Sequence, residues 1–175
     1  MRIPFMLAAL LAGGAASAQH TPPPPPIPSG VPTRAAVPFM AQVGESDVFE
    51  ISSSQVALQR SRDPRVRAYA TMLIEHHTTT TDTLLARARE AGLAAPPQVL
   101  SPGKKAMIDA LYAAPPEAFD RAYLTQQVPA HEQALALHRT YADGGDVAPL
   151  RAAAQAAAPL VQRHLDDARR MLGAM

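Results

Sequence analysis

A chain of 175 residues with formal charge +1, 47% hydrophobic and 18% charged side chains and no cysteine suits one compact domain held together by apolar burial, with no disulfide and no thiol nucleophile. Its mixed, near-neutral charge argues against a general nucleic-acid or anionic-membrane binder, and no stretch beyond the N-terminus is apolar enough to span a membrane.

Residues 1–18 read as a secretory signal: Arg2 is a small positive start, Phe5 to Ala12 a short apolar run, and Ala16-Ser17-Ala18 an A-x-A cleavage site. Cleavage after Ala18 leaves Gln19 at the new N-terminus and removes the single net positive charge with Arg2. No cysteine follows to carry a lipid, so export to a bacterial periplasm or beyond is expected. Residues 19–38 hold the Pro22–Pro26 run plus Pro28, Pro32 and Pro38. Such a tract favours extended polyproline II and reads as a spacer, or as a docking site for a proline-reading partner. His20, beside the new N-terminus, is at most a weak copper ligand.

From 39 onwards the chain is rich in Ala and Leu, and the expected fold is all-α: an up-down four-helix bundle with a short connecting helix between its second and third members. The first helix is predicted over about Phe39 to Arg60, with Val43, Glu50, Ser54 and Ala57 along one side. Asp63-Pro64 supplies an N-cap and a first-turn proline for the second, which runs to Glu90 with Val66, Tyr69, Leu73, His76, Thr80 and Leu84 in line and Gly92 as C-cap. Lys104 to Ala113 is the connecting helix. The third, about Glu117 to Ala142, aligns Leu124, Val128, His131, Leu135 and His138 around an internal Pro129 that should bend it. Asp146 is the expected N-cap of the fourth, which aligns Leu150, Ala154, Ala157, Leu160/Val161, His164, Ala168 and Met171, again bent by an internal proline, Pro159.

Each of these four helices thus carries a metal-capable side chain on its apolar side: Glu50, His76, His131 and His164. A buried ionisable group is costly unless it is hydrogen-bonded, paired or bound to a metal. At about 1.5 Å rise per residue, Glu50 and His76 come out level when counted from the turn between their helices, and so do His76 and His131. His164 misses that level by roughly 10 Å, which makes it the weakest member of the set. His77 points about 100° away from His76, so one of the two faces inward, and the apolar line selects His76. Glu75 and Glu132 fall at the rim, and His138 reads as a partly exposed histidine near a helix end or an additional ligand.

A Glu with two or three His suits a divalent transition metal, zinc, iron or copper; the alternative is a structural or partner-binding module in which the cluster is a metal-free hydrogen-bonded network that fixes helix register. No glutamate is followed by histidine three residues later, so the Glu-x-x-His di-iron pattern is missing. No G-x-S-x-G elbow, P-loop or dinucleotide fingerprint occurs, and the Thr78–Thr81 run reads as plain helix. A non-enzymatic protein is therefore expected. Apolar residues left on outer faces would allow a homodimer.

Several short elements carry a resemblance: Val66-x-x-Tyr69-Ala70-x-Met72-x-x-Glu75-His76, Phe119-Asp120-Arg121-Ala122-Tyr123-Leu124, Val128-x-x-His131-Glu132 and Ala158-Pro159-Leu160-x-x-x-His164-Leu165. With Glu50, they resemble the exported bacterial proteins of domain of unknown function family 4142, over about Phe39 to Leu172. Glu75 departs from the Asp usual there and keeps its charge. The resemblance implies a ferritin-like helical protein of the periplasm or envelope and metal binding through the matched histidines, in envelope stress or metal handling; it implies no reaction. Asp120 is assigned to the helix dipole and to pairing with Arg121 or another cation, and Phe119 and Tyr123 to the core.

Overall fold

The structure is a computed structural model that describes residues 31–175; the signal segment and the Pro22–Pro26 run lie outside the described residues. It contains five helices: α1 (Ala36–Arg60), α2 (Pro64–Glu90), α3 (Pro102–Ala113), α4 (Phe119–Gly144) and α5 (Ala148–Gly173). No strand occurs among the described residues, and none of their helices is long and apolar enough to cross a membrane.

Helix α1 starts three residues earlier than expected, with Pro38 in its first turn. Backbone N–H groups there have no intrahelical partner in any case, so the proline costs no hydrogen bond. Asp63 caps α2 as expected, accepting from the Arg65 N–H at 2.8 Å. At its other end Gly92 takes φ +69°, and the Gly92 and Leu93 N–H groups bond back to the carbonyls of Arg89 and Ala88. That pairing satisfies the last carbonyls of the helix and needs a left-handed residue, which glycine supplies without strain. Asp146 does not cap α5: its N-cap residue is Val147, without a side-chain bond, and Asp146 instead accepts from the Tyr141 hydroxyl at 2.9 Å. Helices α4 and α5 run unbroken through Pro129 and Pro159.

Two apolar clusters fix the topology. One joins the end of α1 (Val56, Ala57), the starts of α2 (Val66, Tyr69, Leu73) and α4 (Phe119, Tyr123, Leu124) and the end of α5 (Ala168). The other joins the start of α1 (Phe39, Val43), the ends of α2 (Leu84, Ala88) and α4 (Leu137, Tyr141) and the start of α5 (Leu150, Ala154). Hence α1–α2 and α4–α5 are antiparallel hairpins, but α2 and α4 run parallel. The expected alternation fails at that step, because residues 91–118 carry the chain back along the molecule. Helix α3, inside this crossover, packs on α1 and α4. Arg60 fastens its end, donating to the carbonyls of Leu111 at 3.0 Å and Ala114 at 2.6 Å, with its guanidinium over the Phe119 ring. Phe119 and Tyr123 are core residues, as expected. Asp120 lies in the first turn of α4, where its charge complements the dipole; no ion pair with Arg121 is present among the described residues, and one carboxylate oxygen is buried without a partner.

Candidate metal centre

Between the two apolar clusters each long helix contributes buried polar side chains at one depth: Asp47 and Glu50 from α1, His77 from α2, His131 from α4 and His164 from α5. One ring nitrogen from each of His77, His131 and His164 lies within 4.8 Å of the other two. Metal–nitrogen bonds of about 2.0–2.1 Å place ligand nitrogens roughly 3.3–3.6 Å apart, so the three rings sit within a small rotation of a shared ion.

The hydrogen bonds around the cluster orient its rings. The Gln127 carbonyl accepts from His131 Nδ1 at 2.9 Å; a carbonyl only accepts, so Nδ1 carries the proton and Nε2 keeps its lone pair. The Asp47 carboxylate accepts from His77 Nδ1 at 2.7 Å and is itself held by the hydroxyls of Thr81 (2.7 Å) and Thr80 (3.3 Å). His164 Nε2 and His76 Nδ1 are 2.8 Å apart; donation from His164 to His76 leaves Nδ1 of His164 as a lone pair. His77 Nε2, His131 Nε2 and His164 Nδ1 are then buried without a partner, together with both carboxylate oxygens of Glu50. Glu50 Oε1 stands 3.9 Å from His131 Nδ1, beyond hydrogen-bond reach.

Burial sets the charge states. It lowers the pKa of His131 against the pull of Glu50, and lowers that of His164 to about 2, helped by the neighbouring His77, His131 and His76. His138, two turns beyond His131, is driven to about 4 by burial. At His77 burial also works against the charged ring, but the Asp47 hydrogen bond and charge, with Glu50, outweigh it and the pKa rises. Histidines with lowered folded pKa contribute stability that is present above the unfolded value near 6.5 and is lost as pH falls; His77 acts in the opposite sense, its contribution fading as pH rises. Three against one, the chelator-treated protein should lose stability between pH 7 and pH 5. Urea midpoints at the two pH values check this, and a midpoint that holds or rises at pH 5 contradicts neutral rings at His131, His138 and His164.

Of the residues singled out in the sequence, Glu50, His131 and His164 are enclosed in this layer, while His76 is half-buried at its edge, its ring stacked on His164. The residue that faces the centre is His77, 3% exposed. At 100° per residue, position 77 lies about 20° from the direction of Val66 and Leu84, whereas position 76 lies about 80° away; both flank the line through Tyr69. His164 also sits closer to the common level than expected. Helix α4 extends to Gly144 and α5 begins only at Ala148, which reduces the mismatch to three residues, about 4.5 Å. His138 is buried, not partly exposed. Asp47 was missed, although it stands four residues after Val43 and three before Glu50 on the same stripe.

A family model described as "Domain of unknown function (DUF4142)" matches residues 21–171. The chain belongs to this family. Among curated proteins, none matches. The fold is similar to two solved structures. One is the crystal structure of a DUF305 fragment from Deinococcus radiodurans, with TM-score 0.70 and 17% identity over 80% of this chain and 96% of that one. The other is CopM in its Cu(II)-bound form, with TM-score 0.68 and 15% identity over 80% of this chain and 97% of that one. At such identities the likeness is one of fold.

Proposed function

We propose that this DUF4142 protein is an exported four-helix bundle of ferritin-like type that holds one divalent transition metal through His77, His131 and His164, with the Glu50 carboxylate beside them, in metal handling or stress at the cell envelope. The observation that carries this reading is the convergence of three buried histidines from three helices, one ring nitrogen of each within 4.8 Å of the others, and each ring with an unpartnered buried nitrogen. The single long crossover between parallel α2 and α4 is the connection found in ferritin-like bundles. Export rests on the N-terminal signal pattern; N-terminal sequencing of the periplasmic protein should begin at Gln19.

The donor set fits a metal better than a closed polar network. Five buried side-chain atoms of the layer lack partners, and each such atom costs on the order of 1–3 kcal/mol. A cation would satisfy the nitrogens and neutralise Glu50. Imidazoles with a carboxylate suit Cu(II), Zn(II) or Fe(II), and affinity for such a set rises from iron to copper. The Asp47–His77 bond is the carboxylate–histidine pairing that orients metal ligands and strengthens their basicity. The Cu(II)-bound state of the structurally similar CopM agrees with this choice of metal.

Elemental analysis of untagged protein purified without chelators should find close to one equivalent of metal per chain. Titration at pH 7 should give Cu(II) the highest affinity, Zn(II) the next and Fe(II) the lowest. Protein that carries no metal and shows no thermal shift with any of the three overturns the reading.

A further inference from the structure

A cavity of about 120 Å³ lies beside the histidine layer, on the side of the second apolar cluster, and the metal reading makes no use of it. Its walls are Phe39 and Val43 of α1, Leu84 of α2, Ala154 and Ala157 of α5, and His138 of α4. Small side chains on α5 leave the space, and the exposed Thr79, Thr83 and Ala156 form its outer edge between α2 and α5. Alanines alone would make only a gap in the packing. The second observation is the His138 ring in the wall, 7% exposed, with Nδ1 enclosed and without a partner.

An enclosed nitrogen with no acceptor near it is best left as a lone pair, since a buried N–H without a partner forfeits its hydrogen bond. The proton then sits on Nε2, the ring's remaining polar atom. Burial holds the ring neutral, with a pKa of about 4. The hydroxyl protons of Thr79 and Thr80 are committed, Thr79 to the Glu75 carbonyl at 3.0 Å and Thr80 to the His77 carbonyl at 3.0 Å or to Asp47. The cavity therefore offers apolar walls, the neutral His138 ring and, at its exposed outer edge, the Thr83 hydroxyl, with no cationic or acidic side chain lining it. An apolar cavity of 150 Å³ is known to take benzene, which sets the size of guest that a slightly smaller one admits.

We propose that this cavity binds a compact uncharged molecule, about one six-membered ring in size, whose single carbonyl or hydroxyl oxygen accepts from the ring N–H of His138. The site is separate from the metal layer, so the test uses the full chain treated with chelator, and its result is independent of the metal reading. Cyclohexanone and cyclohexane serve as probes, followed by the ring resonances of ¹⁵N-labelled histidine. Cyclohexanone should bind saturably, shift the His138 signals and lose at least about fivefold in affinity in His138→Phe, the effect of one neutral hydrogen bond, while cyclohexane binds the parent and the variant about equally. Ala157→Leu, which fills the space, should abolish binding of both; Ala157→Val gives the same test if the larger residue prevents folding. Absence of saturable binding, binding that survives the Ala157 variants, or an unchanged cyclohexanone affinity in His138→Phe overturns the proposal.

Discussion

Replacing His77 with Ala should weaken Cu(II) or Zn(II) binding by at least about a hundredfold, whereas His76→Ala should cost about tenfold, the low end of the ten- to hundredfold range for residues that act through a ligand. The two positions are adjacent in sequence, so the contrast isolates geometry from composition. His77 presents an unpartnered Nε2 inside the layer, and its ring lies against both His131 and His164. His76 is half-buried and reaches the layer through His164 Nε2. Competition against a chromophoric chelator at pH 7 gives both affinities. Because His77→Ala leaves Asp47 buried and unpaired, His77→Asn, which keeps a donor for that carboxylate, should be measured beside it. Equal losses for the two positions, or a larger loss at His76, would move the metal to the rim and refute the assignment.

That contrast also marks how far the sequence could be read. The helices were legible because apolar spacing and end signals agree: Asp63-Pro64 opens α2 and Gly92 closes it, as expected. Glu50 and His131 were legible because each stands in the middle of an apolar stripe, where only a partnered polar group is tolerated. The phase of α2 was not settled by its stripe, since a line drawn through Tyr69 selects His76 and one drawn from Val66 to Leu84 selects His77. A 100° step per residue makes that choice sensitive to which apolar residue anchors the count.

The direction of α4 relative to α2 was harder to read. Residues 91–118 could equally end a hairpin or carry the chain back, and what decides it is tertiary: Arg60 binding the carbonyls at the end of α3, and Ile108 and Leu111 packing with Val56 and Phe119. The depth count for His131 survived this because it lies near the middle of its helix, twelve residues after Phe119 and thirteen before Gly144. Either direction gives nearly the same level. Asp47 went unread for a different reason: an acidic residue in a helix is ordinarily solvated, and only the partner across the interface, His77, explains its burial.

Asp47→Asn and Asp47→Ala should separate two roles of that carboxylate. One oxygen accepts from His77 Nδ1 and the other from the Thr81 and Thr80 hydroxyls, so the group joins α1 to α2 in a buried setting. Truncation to Ala leaves His77 Nδ1 and the Thr81 hydroxyl without their acceptor, while Thr80 keeps the His77 carbonyl, and should destabilise the fold by roughly 2–4 kcal/mol. Asn nearly preserves the shape: its carbonyl can still accept from His77 Nδ1, while the Thr81 hydroxyl can turn to accept from the amide. The fold should hold, with metal affinity falling about ten- to a hundredfold as the ring loses the carboxylate that orients it and strengthens its basicity. The same variant removes the Asp47 charge and leaves a neutral hydrogen bond and Glu50 as the groups that raise the His77 pKa against burial. The His77 pKa then falls towards those of His131 and His164, rings that burial keeps neutral, and the stability of the chelator-treated protein should fall more steeply between pH 7 and pH 5 than in the parent. Urea titrations at both pH values, with a metal competition assay at pH 7, measure all three effects. An Asp47→Asn protein with the parent's affinity and pH profile would show that the Asp47–His77 bond serves helix packing alone.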